Sequence, residues 1–244
     1  MRLKLLIIVF VSLCTWTGAG SPAMAAGEII RIAGAQAHTT HALAAEVVKE
    51  AYRRIGFDAR ISYLPNRRAL IAAAGGQFDG ELGRIAGAEK NYPTLVRVPV
   101  PVVWIDGVAA TVDKTADIKA WKDLDGLPVA IIRGELYAEE GTSALSVPPL
   151  HVNDYSQLLA MLLRGRAKVV IGIRADLNLE ISRNILGQHI KVGKTPLFSA
   201  PLYHFVHESR RALVPRLEAV LRKMADEGDI EKLHKRALER LMLK

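Results

Sequence analysis

The strongest constraint on the fold is a strand–helix alternation that occurs twice, each time closed by a long extended run broken by prolines. Glu28–Gly34 (EIIRIAG) is apolar and β-branched and ends on glycine, which predicts a strand. His41–Ile55 places Leu43, Ala44, Val47, Val48, Ala51, Tyr52 and Ile55 on one helical face, with Thr39 or Thr40 as cap and Gly56 as stop. Phe57–Leu64 alternates as a second strand. Asn66–Ala74 is a helix opened by Pro65 and stopped by Gly75 and Gly76, and Phe78–Leu82 is a third strand. This order demands parallel pairing through crossover helices. Asn91–Val112 then runs apolar and extended through Pro93, Pro99 and Pro101, as a connection leaving one lobe for another would.

The alternation resumes beyond it. Val129–Arg133, Pro149–Val152 and Val169–Ile173 read as strands, and Asp117–Leu124, Leu136–Leu145 and Ser156–Arg164 as helices. Ile190–Val192 is a further strand. Thr195–Val206, broken by Pro196 and Pro201, reads as the return crossing, and Leu213–Met224 and Ile230–Leu243 as two amphipathic helices docking back on the first lobe. The expected fold is α/β, two lobes joined by two crossings. Residues 26–108 form the first part of lobe 1, 109–199 form lobe 2, and 200–244 form the return crossing and closing helices. Ligands of such sheets sit at the carboxyl ends of the strands, so the cleft between the lobes is the expected site. A hinged cleft closes on what it binds.

The first residues follow a different logic. Arg2 and Lys4 precede an apolar run, Leu5–Leu13, and Ala23-Met24-Ala25 is a small-x-small site. This is the pattern of a signal peptide over residues 1–25, cleaved after Ala25. The run is short of the roughly 20 residues a membrane span needs. The one cysteine, Cys14, lies inside it behind the bulky Leu13, against lipidation. The expected product is exported and held together by its core without disulfides. The formal charge of +8 includes Arg2 and Lys4 and forms no basic stripe interleaved with aromatics, so no nucleic-acid partner is expected. There is no Gly-x-Ser-x-Gly, phosphate loop or dinucleotide fingerprint, so neither enzymatic activity nor a cofactor is expected. His38-x-x-His41 has metal-like spacing without a visible third ligand, and no metal is expected.

Four stretches resemble a known family: "PNRRALIAAAGGQFDGELGRIAGAEKNYP", "DIKAWKDLDGLPVAIIRGELYAEE", "LLAMLLRGRAKVVIG" and "LVPRLEAVLRKMADEGDIEKLHKR". In order and spacing they are similar to the bacterial solute-binding proteins of family 3, the periplasmic receptors typified by polar amino-acid binders. The resemblance runs from Glu28 to about Leu241. It implies a type II periplasmic-binding-protein fold that clamps a small polar solute and delivers it to the membrane permease of an ABC transporter. The chain also departs from the pattern. Where the amino-acid receptors place an arginine after the third strand, Arg84 and Lys90 are both candidates. Their second-lobe aspartate aligns near Ile173, with Arg174 beside it and Asp176 further on. Their threonine or serine after the second-lobe glycine is replaced by Glu135 and Leu136 in "RGELY".

The candidate ligand residues follow from these positions. Arg84, just past a strand, suits a bidentate grip on a carboxylate, or an ion pair with Glu81 or Glu89. Glu81 is then either its partner or a ligand acceptor. Arg68 matches the family's helix-start arginine. His38 and Thr39 lie in the first strand-to-helix loop, where Thr39 also suits a cap. Trp104 sits on the crossing, and Tyr137 near a strand end, as stacking platforms or core. Arg133 precedes a helix start, and Arg174 follows the second-lobe strand. The expected function is to bind a carboxylate-bearing solute for transport. The alternatives are a soluble sensor, or a dehydratase-like enzyme using Glu81 or Glu135 as general acid.

Overall fold

The structure is a computed structural model in which residues 28–35 and 39–242 are described. The expected signal peptide and His38 lie outside the described residues. Strand β1 (Glu28–Ala35) pairs in parallel with β2 (Phe57–Leu64) over its whole length, from Glu28↔Phe57 to Ala35↔Leu64, and with β3 (Gly80–Ile85) at Ile32↔Gly80. Helices α1 (Thr39–Arg54) and α2 (Asn66–Ala74) make the two crossovers, and a single turn, α3 (Ala88–Asn91), follows β3. The second parallel group is β5 (Val129–Ile132), β6 (Leu150–Val152) and β7 (Val169–Ile173), with helices α4 (Leu136–Thr142), α5 (Tyr155–Leu163) and α6 (Arg174–Ser182).

Two long strands join the groups. The first, β4 (Leu95–Thr111), spans about 55 Å at the usual rise of a strand. It runs antiparallel to β9 (Phe198–His207), from Leu95↔His207 to Gly107↔Phe198. Its far end pairs with β7 and with the two-residue β8 (Lys191–Val192). Among the described residues the strands form one continuous sheet, β2-β1-β3-β9-β4-β7-β5-β6, with β8 beside β4. Both crossings are thus sheet rather than loop, and residues 108–109 and 199–200 fall inside strands. Pairing slips between Arg97 and Val103, where Pro99 and Pro101 have no N–H to donate.

Helix α1 buries the face its spacing predicts, Leu43, Ala44, Val47, Val48, Ala51 and Tyr52. The closing helices α7 (Val214–Asp226) and α8 (Asp229–Met242) dock back as expected, α8 on α1 and α7 on β4. A smaller apolar cluster covers another part of the first-lobe sheet: Ala33, Ala69, Leu70, Ala73, Leu95 and Phe205, under α2.

Three local expectations change. Strand β3 starts at Gly80 rather than Phe78. Asp79 is held in a bend, its N–H donating to the Arg31 carbonyl while its carboxylate accepts the Arg31 N–H and pairs with Arg210. Helix over Asp117–Leu124 shrinks to a 3-10 turn at Trp121–Leu124, because the Asp123 carboxylate captures the N–H groups of Lys119 and Ala120 and sets the start there. Helix α6 has no counterpart in the sequence reading: it begins directly off β7 behind Ile173, without a polar cap to announce it.

Candidate ligand site between the lobes

The second-lobe wall is built at the carboxyl ends of β5 and β7. After β5 the chain turns through Gly134, whose φ of +84° favours glycine, and presents Glu135 ahead of α4. The Glu135 carboxylate accepts from two phenols, Tyr137 Oη at 2.8 Å and Tyr155 Oη at 3.0 Å. The Tyr155 hydroxyl in turn accepts the Ile173 N–H at 2.8 Å, which ties Glu135 to the end of β7. Glycine makes room for both rings. A Cβ on Gly107 would lie 2.4 Å from the Tyr137 ring, and one on Gly172 would lie 2.7 Å from Tyr155. Tyr137 also stacks on Phe198 at 5.1 Å between centroids. Burial pushes Glu135 up to about 7; the two phenols oppose this, and the negative charges of Asp176 and Glu139 add to it.

The first-lobe wall meets it through two polar ties. The Thr40 N–H and hydroxyl donate to the two oxygens of Asp176, at 3.2 and 2.9 Å. Asn66, the first residue of α2, donates from Nδ2 to the Gly134 carbonyl at 2.7 Å. Behind Asn66 stands Arg84. Its Nη2 donates to the Asn66 carbonyl at 2.8 Å, its Nη1 to Asn66 Oδ1, and its Nε to Glu81 Oε1 at 2.8 Å. Glu81, Arg84, Asn66 and Gly134 thus form a chain of hydrogen bonds from the first-lobe sheet to the second lobe. Glu81 is fully buried, and burial pushes its carboxyl up to about 7 although Arg84 pulls the other way. Its Oε2 has no hydrogen-bond partner, nor has Thr39 Oγ1, although Thr39 is only 3% exposed.

The expected site residues divide accordingly. Arg84, Glu81, Thr39 and Tyr137 are at or behind this junction. Arg84 already has an ion-pair partner in Glu81, the alternative the sequence left open, and adds Asn66 to it. Thr39 and Thr40 are the first helical residues of α1 rather than its cap. Arg174 is directed elsewhere, donating to the carbonyls of Gly193 and Lys194 at 2.9 Å each and lying 3.5 Å from Asp106. The Arg133 and Arg68 side chains are exposed, and Trp104 is 65% exposed on β4 opposite Pro201. Sequence reasoning missed Asn66; it weighed Thr40 as a cap or ligand contact and Tyr155 as a stacking platform or core residue, not as hydrogen-bonding partners of Asp176 and Glu135. It had Asp176 only as a residue beyond the aligned position, and Glu135 as the replacement for the family's threonine or serine and as an acid for an alternative enzyme. An open groove of about 820 Å³ along α1 and β2, lined by Glu46, Lys49, Arg53, Asp58 and Arg60 among others, shares none of the junction residues. Among the described residues no group of three or more His, Cys, Asp or Glu side chains could hold a metal ion.

Replacing Asn66 by alanine removes the Asn66–Gly134 bond and one partner of Arg84. The lobes are expected to part more readily, with a loss of about 1–2 kcal/mol in the contact and a larger radius of gyration in X-ray scattering. Superimposable scattering curves for the two proteins would show that this bond does not hold the lobes together.

No protein-family model matches the chain. It is 27% identical over 209 residues to an uncharacterised protein of Shewanella oneidensis, which covers 82% of this chain and 78% of that one. Among solved structures it is similar to the GluR0 ligand-binding core in complex with L-glutamate, with a TM-score of 0.75, 12% identity, and coverage of 86% of this chain and 98% of that one. An ancestral arginine-binding protein bound to glutamine gives 0.71 at 16% identity, covering 85% and 96%. The sensor domain of a histidine kinase, similar to periplasmic binding proteins, gives 0.73 at 14%, covering 87% and 97%. These likenesses establish the fold: α/β, two lobes and two crossings, as in type II periplasmic binding proteins.

Proposed function

We propose that the chain is a periplasmic solute-binding protein that closes its two lobes on a small polar solute and, as a monomer, hands it to the permease of an ABC transporter. The observation that carries this is the junction itself. Thr40–Asp176 and Asn66–Gly134 tie the lobes together where the strands of both end, around buried polar groups whose hydrogen-bonding capacity is not exhausted. A solute that adds contacts to both walls binds the closed arrangement better than the open one and shifts the equilibrium toward it. A carboxylate on that solute has Arg84 as its first-lobe partner, in exchange for the Asn66 contacts. The likeness to a histidine kinase sensor domain favours a second reading, in which the same closure is read by a membrane receptor rather than a permease.

The test is a thermal-shift screen of the chain from residue 26, against amino acids, amines, carboxylic acids and sugars. A ligand at a hundred times its Kd is expected to stabilise by about 2.7 kcal/mol. A melting temperature unmoved by every class would overturn the solute-binding reading. Co-purification of a permease, or of a sensor receptor, separates the two readings.

A further inference from the structure

We propose that the outer edge of β2 pairs two copies of this chain about a twofold axis at Ala59, through the run Phe57–Ile61 (FDARI). The pairing is independent of the solute-binding reading, since this run lies at the amino end of β2 and the junction at its carboxyl end. The monomer that hands over a solute is then in equilibrium with a pair.

Strand β2 is an edge of the sheet, and among the described residues it pairs only with β1. Its other side offers N–H and C=O groups to a further strand. Charged side chains usually blunt such an edge, but here their order is self-complementary. Read backwards, FDARI becomes IRADF. In an antiparallel pair centred on Ala59, Phe57 lies opposite Ile61 of the second copy, Asp58 opposite Arg60, and Ala59 opposite itself. Asp58 and Arg60 are both more than half exposed and lie 3.1 Å apart within one chain. Two copies therefore bring together four charges that alternate in sign. Phe57, Ala59 and Ile61 alternate with them on the other face of the strand. The charges also select the register. Sliding the copies to the next register in one direction sets Arg60 against Arg60, and in the other Asp58 against Asp58, each a like-charge pair. The registers between these would oppose side chains of different faces.

The open groove of about 820 Å³ follows the same run. From β2 it takes in each residue from Phe57 to Ile61, and from α1 it takes in Glu46, Lys49, Glu50 and Arg53. Those four charges obey the same axis. As the crossover between two parallel strands, α1 runs antiparallel to β2. By the usual rise of helix and strand, the midpoint of Lys49 and Glu50 and the centre at Ala59 both lie about 7 Å from the turn that joins α1 to β2. A twofold at that height sets Lys49 opposite Glu50 of the second copy and Glu46 opposite Arg53. Strand and helix, with different periods, are thus complementary about one axis. Within the chain Glu50 pairs with Arg53 at 2.7 Å and Glu46 with Arg240 at 2.6 Å, surface pairs that are shared or exchanged at little cost.

The experiment is sedimentation equilibrium of the chain from residue 26 over a series of concentrations, with no solute added. A small interface of this kind is expected to give a reversible monomer–dimer equilibrium with a Kd on the order of 100 μM. Asp58→Arg sets two like-charge pairs across the axis and is expected to weaken the pairing by about tenfold or more. Arg60→Asp is expected to do the same. The double variant Asp58→Arg with Arg60→Asp restores opposite charges at both positions and is expected to return to within about threefold of the wild type. That rescue separates pairing at this edge from any loss of folded protein in the single variants. A mass that stays at one chain up to millimolar concentration would overturn the proposal. So would a dimer indifferent to Asp58→Arg, or one weakened by it that the double variant fails to restore.

Discussion

Phe205→Ala is expected to cost about 3–5 kcal/mol of stability, the range for emptying a buried aromatic site. Phe205 is fully buried on β9, paired with Glu81 of β3 on one side and Arg97 of β4 on the other. It fills the cluster under α2, and three of its five companions there, Ala33, Ala69 and Ala73, are alanines. Alanine has no rotamer with which to close a void, so the cavity persists and the cost falls toward the upper end. The loss reaches the junction as well, because α2 rests on this cluster and Asn66 is its first residue. Urea denaturation followed by circular dichroism measures the effect, with a fall in melting temperature on the order of 10 °C. Phe205→Leu, which restores most of the volume, is expected to cost less than half as much. A loss below about 1 kcal/mol for the alanine variant would show that α2 collapses onto the sheet instead.

Stability is expected to depend on pH through Glu81, with a sign opposite to that of an ordinary ion-paired acid. In the folded chain its carboxyl titrates near 7, against 4.5 for the unfolded reference. Between those values the folded state holds the proton and the unfolded state does not, so stability falls as pH rises across the window. The fall amounts to about 3 kcal/mol from this group. Glu135 acts with the same sign. His204 acts against both. Buried against Tyr52, its imidazole is pulled down to about 4, so its contribution is complete above 6.5 and is lost as pH falls toward 4. Comparing wild type with Glu81→Gln isolates Glu81, because His204 and Glu135 are common to both. The variant is expected to gain on the wild type by about 2–3 kcal/mol between pH 5 and pH 8 in urea titrations. Parallel curves would mean that Glu81 ionises at an ordinary pH despite its burial.

The two-lobe architecture was legible because its signals are local. The apolar spacing of α1, the alternation of β2 and the proline-broken crossings are each visible within about two dozen consecutive residues. Strand β2 at Phe57–Leu64, helix α2 at Asn66–Ala74 and strand β7 at Val169–Ile173 fall at their expected bounds. The junction was legible only in part, because its members are brought together by pairing over long sequence distances. Arg84 stood out as a charge after a strand, but its commitment to Asn66 depends on where α2 begins relative to β3. Asp176 was passed over because it lies on α6, a helix without a capping signal, and its partner Thr40 is 136 positions away. Arg174 drew attention for its position, and only the turn at Gly193 and Lys194 explains where its guanidinium goes.

The interleaving of β9 between β3 and β4 has a consequence for the order in which the molecule assembles. Gly80 pairs with Val206 and Leu95 with His207, so the first-lobe sheet lacks its central strand until the chain has been made almost to its end. Residues 28–97 exposed alone would present the β3 edge and the apolar face of β4 without cover. The β1–β2 pair and the second-lobe strands β5, β6 and β7 close over short distances. Folding is therefore expected to finish with the insertion of β9 between β3 and β4, with the long loop closure between β3 and β9 setting the rate.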